Sequence, residues 1–268
     1  MHIMSNRHAI VTLIVVIVTA CMFAGGTCYG LWQDHRERLL LAYTDSVLES
    51  AITVWPEADL QEDKPYSDGF DGIDISFYQG YIRWNELYAD SLRPRFIYIR
   101  VMGRAARTDT LYHYNLRCAQ RLGIPVGSYV FYSHFLSVQE QFDKFVSMAS
   151  KEKQDLRPML DVESLSLLPD SDNTHLRDSV LLFAKKLTAH YGKAPLIYSS
   201  QNFYRDYLAP TMNKYPLWLA NYSRKPVVKG THPILWQRSE SGHVHGIYTS
   251  VDLDCFINGG NMKHLRLK

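Results

Sequence analysis

The sequence predicts an α/β protein, an irregular TIM-like (β/α) barrel preceded by an N-terminal transmembrane helix. Three observations support this prediction. Short apolar runs typical of strands alternate with segments of helical periodicity after residue 69, which indicates a largely parallel sheet with crossover helices. No Gly-x-Gly-x-x-Gly turn is present, which favours a barrel over a dinucleotide-binding sheet. Before these runs, 24 residues from Ala9 to Trp32 include no Asp, Glu, Lys or Arg.

The apolar N-terminal stretch predicts a retained membrane anchor at residues 9–32. A spanning helix needs about 20 residues, whereas the apolar core of a cleaved signal peptide has only about 7–15. Arg7 favours a cytoplasmic location for residues 1–8, so the rest of the chain would be exported to the periplasm or the extracellular space. Two alternatives stay open, a cleaved signal and a lipoprotein acylated at Cys21, because residues 18–21 resemble a lipoprotein cleavage box.

Residues 33–68 are predicted to connect the anchor to the folded domain. Apolar residues recur at helical spacing between Leu39 and Ile52, which indicates a juxtamembrane helix. Residues 57–68 are polar and acidic with one proline, which is typical of a linker. The barrel domain is therefore predicted to span residues 69–268, about 200 residues, which is enough for a single hydrophobic core.

Charge and metal-ligand patterns exclude several function classes. The net charge is +2 and the two signs are interspersed, so no nucleic-acid partner is expected, because such proteins usually carry a clustered basic stripe. His243 and His245 alternate, but no third ligand is evident, so neither a metal nor a cofactor is expected. The sequence does not predict the oligomeric state.

The cysteines define no metal motif. Cys21 and Cys28 lie in the apolar stretch, and Cys118 and Cys255 are far apart in the chain. For the second pair a disulfide and two buried thiols both stay open.

The alternating pattern predicts seven strands and three clear helices. The strands are Gly72–Ile75, Phe96–Val101, Val126–Phe131, Pro158–Glu163, Leu196–Ser199, Leu217–Ala220 and Ile234–Gln237. The helices are Tyr112–Leu122, Val138–Met148 and Leu176–Tyr191.

Acidic residues follow three of the apolar runs. Asp161 and Glu163 are separated by one residue, so in a strand both side chains project from the same face. Asp74 ends another run, and Asp252 lies near the C-terminus. Because parallel strands of a barrel end at one rim, we expect these four carboxyl groups to converge there. Paired carboxyl groups are what glycoside hydrolysis requires, one protonated and one charged.

The same segments resemble the Chalaropsis-type lysozymes, glycoside hydrolase family 25. The opening segment 74–80 (Asp-Ile-Ser-Phe-Tyr-Gln-Gly), followed by Trp84, is similar to the start of that family. The resemblance runs from residue 69 to residue 259 in the family's order. It continues through Phe96–Arg100, Asp109, Tyr112, Asn115, Gly123–Tyr129, Leu160–Glu163, Ile197, Tyr198, Leu217–Ala220, Trp236, Gln237, Gly246, Val251 and Asp252.

This resemblance implies an N-acetylmuramidase that cuts the β-1,4 bond between N-acetylmuramic acid and N-acetylglucosamine in peptidoglycan. It assigns Glu163 as the general acid and Asp74, Asp161 and Asp252 as the rest of an acidic cluster. It leaves open whether the nucleophile is a carboxylate, the substrate's acetamido oxygen or water. Val130 and the segment 101–104 depart from the family's usual residues at positions that affect sugar contacts.

Aromatic and polar residues near the same strand ends are candidate substrate-binding groups, because aromatic faces stack on sugar rings. They are Tyr198, Trp218, Tyr222, Trp236, Gln237 and Arg100. For Trp218 a place in the barrel core is an equal alternative, and for Arg100 so is a structural ion pair. Two further functions stay open, a catalytically silent peptidoglycan-binding module and a glycosidase of another N-acetylated polysaccharide.

Overall fold

Eight strands close into a barrel in the part of the chain that the computed structural model describes, residues 66–104, 106–167, 173 and 175–268. Strands β1 to β7 pair in chain order and run parallel, whereas β8 runs antiparallel to both β7 and β1. The strands are β1 Gly72–Ile75, β2 Phe96–Met102, β3 Val126–Phe131, β4 Met159–Asp161, β5 Leu196–Ser200, β6 Leu217–Ala220, β7 Pro233–Gly242 and β8 Val251–Phe256.

The barrel confirms the predicted fold class for this part of the chain and corrects it in two places. The seven predicted strands are all present, but β4 ends at Asp161, so Glu163 lies beyond it. The eighth strand was not predicted as a strand. Its antiparallel direction makes the sheet mixed, and β8 follows β7 without a crossover helix.

The three predicted helices are also present. The helices are α1 Trp84–Ala89, α2 Tyr112–Arg121, α3 Val138–Met148, α4 Leu176–Tyr191, α5 Gln201–Phe203 and α6 Met262–Leu265. Helix α3 begins with a capping box, in which Ser137 accepts from the backbone of Glu140 and the Glu140 side chain accepts from the backbone of Ser137. Helix α4 ends at Gly192 in a left-handed conformation that glycine adopts without steric cost.

Apolar side chains pack on both faces of the barrel strands. The inner layer fills the barrel, mainly with the aromatic rings of Phe96, Tyr98, Tyr198 and Trp218. Gly127 makes room for this filling, because a Cβ there would overlap the Tyr98 ring. The outer layer joins the other strand faces to the helices. The barrel therefore has no open bore, and polar groups collect where the inner layer stops.

The predicted segments 1–8 and 9–32 lie outside the described residues, as does most of the connecting segment 33–68. Within that segment, the Ser67 backbone N–H donates to the His243 carbonyl at 2.7 Å, and Ser67 Oγ accepts from the His243 backbone N–H at 2.9 Å. Within the described ranges, no helix combines the length and the apolar character that crossing a bilayer requires. Cys118 and Cys255 are not joined by a disulfide.

Candidate active site

Three acidic side chains point into the barrel because each alternates with apolar residues that pack outward. In β1, Ile73 and Ile75 belong to the outer core, so Asp74 between them faces inward. Leu160 and Val162 bracket Asp161 in the same way. In β8, Val251 and Leu253 bracket Asp252. The outer core therefore fixes the direction of the acids.

Asp252 reaches the same rim by a route that differs from the predicted one. It was expected at the carboxyl end of a parallel strand, but it is the second residue of the antiparallel β8. The amino end of β8 lies beside the carboxyl end of β1, and Asp252 is the register partner of Asp74. The two carboxyl groups are hydrogen-bonded to each other.

Asp161 and Glu163 form the second half of the cluster. Asp161 is the last residue of β4 and pairs in register with Tyr198 of β5. Glu163 follows two residues later and caps the 3₁₀ helix Ser164–Ser166, where its backbone N–H donates to Ser166 Oγ at 3.2 Å. Asp161 is buried and its Oδ1 atom has no hydrogen-bond partner in the structure. The pair thus combines one enclosed carboxyl group with one that borders the solvent.

Gln237 connects the acids to two tyrosines. Its Nε2 atom donates to Asp74 Oδ2 at 2.8 Å, and its Oε1 atom accepts from the hydroxyl groups of Tyr198 at 2.7 Å and Tyr222 at 2.9 Å. Gln237 is 2% exposed. It therefore orients Asp74 and the tyrosines from an enclosed position, and the predicted contact of Gln237 with substrate stays a prediction.

Burial raises the pKa of all four carboxyl groups. Burial, strengthened by the charge of Asp74, raises the pKa of Asp252 to about 9. Burial also raises the pKa of Asp74 to about 6, although hydrogen bonds from Gln237 and Asp252 oppose this. Burial and then the charge of Glu163 raise the pKa of Asp161 well above its usual range.

The pKa of Glu163 is raised by burial too, while a hydrogen bond to Tyr198 lowers it and the charge of Glu240 adds to the increase. The four groups titrate together, so each pKa describes the cluster rather than a single residue. Proton retention was predicted for Glu163. The structure favours it for Asp161 and Asp252 as well.

A cleft of about 210 Å³ opens beside Glu163. Its other walls come from the ends of β5 and β6 and the residues that follow them: Tyr198, Ser200, Gln201, Asn202, Ala220, Asn221 and Tyr222. Tyr222 is 48% exposed and places an accessible ring at this wall. The polar residues of this wall were not predicted, although their position just after two strand ends is the available signal.

The structure corrects the predicted roles of two tryptophans. Trp218 is fully buried in the inner core, where its indole N–H donates to Asp254 Oδ1 at 3.0 Å, so it is not a sugar platform. Trp236 lies on the opposite face of β7 from Gln237. Its indole N–H donates to the Asn221 carbonyl at 2.8 Å, so it supports the cleft wall from behind instead of flanking the acids.

Arg100 forms the structural ion pair that was one of its predicted alternatives. Its guanidinium lies 3.1 Å from Asp109 Oδ2, whose side chain is fully buried. The Arg100 charge also opposes the rise in the pKa of Asp74 and Asp161, so the guanidinium lies close enough to the cluster to act on it.

Two further acidic residues influence the site. Glu240 is exposed on β7 and its charge raises the pKa of both Glu163 and Asp252. Asp254 is fully buried below Asp252, and burial raises its pKa well above the usual range. In the described ranges, no group of three His, Cys, Asp or Glu side chains is arranged to hold a metal ion.

Comparison with known proteins places this arrangement among the carbohydrate-cleaving enzymes. The sequence profile of "Glycosyl hydrolases family 25" matches residues 73–247. The chain therefore belongs to glycosyl hydrolases family 25, and it is a glycoside hydrolase of the lysozyme type. This confirms the resemblance seen in the sequence.

Individual relatives agree with the family. The chain is 31% identical to the YegX protein of Escherichia coli K12 over 196 residues, 72% of this chain and 71% of that protein. It is 30% identical to the autolytic lysozyme of Clostridium acetobutylicum over 193 residues, 70% of this chain and 56% of that protein. The solved lysozyme of Streptomyces coelicolor superposes with a TM-score of 0.63 and 26% identity, covering 74% of this chain and 95% of that one.

Proposed function

We propose that this protein is an N-acetylmuramidase that hydrolyses the β-1,4 bond between N-acetylmuramic acid and N-acetylglucosamine in peptidoglycan glycan strands. The observation that carries the proposal is the convergence of Asp74, Asp161, Glu163 and Asp252 at one rim beside an open cleft. The relatives named lysozymes support the same substrate.

In this proposal Glu163 is the general acid. It is the one member of the four that lines the cleft, so a glycosidic oxygen bound there has access to its proton. Burial keeps its pKa raised, which favours the protonated form that proton donation requires. Asp161 lies two residues before Glu163, and we assign it to balance positive charge that develops on the sugar ring, a role that requires its carboxyl group to be ionised when the substrate is bound.

The remaining residues keep this pair in place. Gln237 holds the Asp74 carboxylate and both cleft tyrosines at once. Asp74 and Asp252 share their hydrogen bond at the far side of the cluster and set its total charge. Their role is therefore electrostatic and positional.

The alternative of a silent binding module is tested with the full chain and purified peptidoglycan. We expect the parent to release soluble fragments, and Glu163→Gln to bind the same glycan but lose about 10²–10⁴-fold in turnover, because an amide cannot donate the proton. Equal turnover by parent and variant would reject Glu163 as the acid. Binding without fragment release by the parent would favour the silent module.

We also propose that residues 9–32 anchor the protein in a membrane with the barrel exported to the periplasm or cell surface. The support is the length of the uncharged apolar stretch and the position of Arg7. The full chain should then remain with membranes after carbonate extraction. Labelling of Cys21 by a palmitate analogue, together with globomycin sensitivity, would favour the lipoprotein instead.

A further inference from the structure

Two aromatic rings stand exposed at the active-site rim on the side away from the cleft. Phe77 and Tyr78 follow β1 directly, and they are 44% and 66% exposed. Their ring centroids are 4.2 Å apart with an interplanar angle of 34°. They begin three residues after Asp74, so the pair borders the acidic cluster without lining the cleft beside Glu163.

The side chain of Arg100 lies against both rings and fixes their position. The Arg100 guanidinium lies 5.1 Å from the Phe77 ring centroid and 5.0 Å from that of Tyr78. Arg100 is in turn held by the buried Asp109, whose Oδ2 atom also accepts from the Phe77 backbone N–H at 2.9 Å. One buried carboxylate therefore holds both the rings' backbone and the cation beneath them.

The backbone that carries the rings is fixed at its two ends. Ser76 and Gln79 form a capping box around the 3₁₀ helix Phe77–Gln79. The Gln79 amide donates to the Ser250 carbonyl at 3.0 Å, which ties this helix to the loop before β8. Exposed apolar rings held this firmly pay their ordering entropy before a ligand arrives, which is the arrangement expected of a binding surface.

The position of the pair matches what internal cleavage of a glycan requires. The cleft walls come from β5 and β6, whereas the ring pair follows β1, four strands from β5 around the closed barrel. Asp74 lies in β1 just before the ring pair, and Glu163 lines the cleft, so the acidic cluster connects the two sides. A sugar chain that is cut internally has to be held on both sides of the broken bond, and the cleft supplies only one of them.

We propose that Phe77 and Tyr78 form a second glycan subsite. Their rings would stack on a sugar ring on the other side of the acidic cluster from the cleft beside Glu163. The occupant is an N-acetylated pyranose of the same strand, because the apolar face of such a ring packs on aromatic faces. This inference rests on the proposed muramidase function.

The test compares Phe77→Leu/Tyr78→Leu with Tyr88→Leu in the full chain. Leucine keeps apolar volume over Arg100 and removes the flat rings. Tyr88 is a matched control, since it is 39% exposed and stacks over Arg93 at 4.4 Å at the end of α1, away from the acids. Binding of peptide-free glycan strands from purified peptidoglycan is measured in the Glu163→Gln background, and kcat and KM are measured in the active background.

We expect the double variant to lose about tenfold in glycan affinity, equivalent to about 1.4 kcal/mol, with KM raised and the pH–rate profile unchanged. A merely structural role would instead disturb the acids and shift that profile. Phe77→Tyr/Tyr78→Phe, which keeps both rings, should bind like the parent. If the double variant loses thermal stability, the same affinity and KM measurements are made on Tyr78→Leu alone, because Tyr78 is the more exposed of the two rings.

Affinity and KM equal to those of Tyr88→Leu would overturn the subsite. That result differs from failure of the proposed function, in which the parent releases no fragments from glycan. In that case the binding arm still decides whether the ring pair holds a sugar chain.

Discussion

Asp74 and Asp252 stand directly opposite each other on β1 and β8, the antiparallel strand pair that closes the barrel. They share a hydrogen bond, and burial raises the pKa of Asp252 to about 9 but that of Asp74 only to about 6. Near neutral pH the pair is therefore expected to hold one proton, favoured on the Asp252 side, and one negative charge.

This proton placement predicts how Asp252 variants behave. Asp252→Asn keeps a neutral group that still donates to Asp74, so kcat on purified peptidoglycan should stay within about tenfold of the parent. Asp252→Ala removes a donor to a charged group, worth about 1.5–3 kcal/mol, and should lose about 10–100-fold. Equal, large losses in both variants would show that Asp252 acts as a charged carboxylate.

The pH–rate profile should respond to the exposed Glu240. The general acid must be protonated, so the rate falls as pH rises through the raised pKa of Glu163. Removing the nearby charge in Glu240→Gln lowers that pKa, so the alkaline limb of kcat/KM should move to lower pH by a few tenths of a unit. The shift should shrink as salt rises from about 0.01 M to about 1 M.

Glu152→Gln is the matched control for this shift. Glu152 is also exposed, and it precedes β4, so the same loss of charge occurs near the amino end of that strand. An alkaline limb that moves equally in both variants would mean a general charge effect, and an unmoved limb in Glu240→Gln would separate Glu240 from the acid.

Gln237 should act on catalysis without touching substrate. Gln237→Glu keeps the size of the side chain but replaces the N–H donor to Asp74 with an oxygen, so the pKa of Asp74 should rise further. We expect kcat to fall by about 10–100-fold, the cost of one hydrogen bond to a charged group, and the acidic limb of the profile to move to higher pH. A pure increase in KM would instead place Gln237 against the sugar.

Asp254 should make the fold less stable as pH rises. Its folded pKa lies well above the unfolded value, so the folded state binds more protons and stability falls with pH above the unfolded pKa of about 4. Asp254→Asn removes this penalty and keeps an acceptor for Trp218. Its thermal midpoint should match the parent at about pH 4 and exceed it by several degrees at about pH 8, since 1 kcal/mol corresponds to about 2–4 °C in a domain of this size.

The sequence predicted the barrel and the acids because both follow from strand periodicity. Asp74 lies between Ile73 and Ile75, and Asp161 between Leu160 and Val162, so the apolar partners fix the direction of each acid. The order of these runs along the chain then predicted a common rim. That much requires only local alternation and a parallel sheet.

Contacts between distant strands were beyond such reasoning. The direction of β8 is set by its pairing with β1 and β7, which the residues of β8 do not reveal. Trp218 and Gln237 were predicted to bind substrate, but tertiary packing encloses both and pairs them with Asp254 and Asp74. An aromatic or amide at a strand end looks the same in sequence whether it faces a groove or the barrel interior.

The most direct test of the central claim is the identity of the new reducing end. Purified peptidoglycan is digested with the full chain, the products are reduced with borohydride, and the resulting sugar alcohols are identified by mass spectrometry. Cleavage on the muramic acid side predicts muramitol in the parent digest and its loss with Glu163→Gln. Glucosaminitol as the sole sugar alcohol would contradict a muramidase and indicate a glucosaminidase.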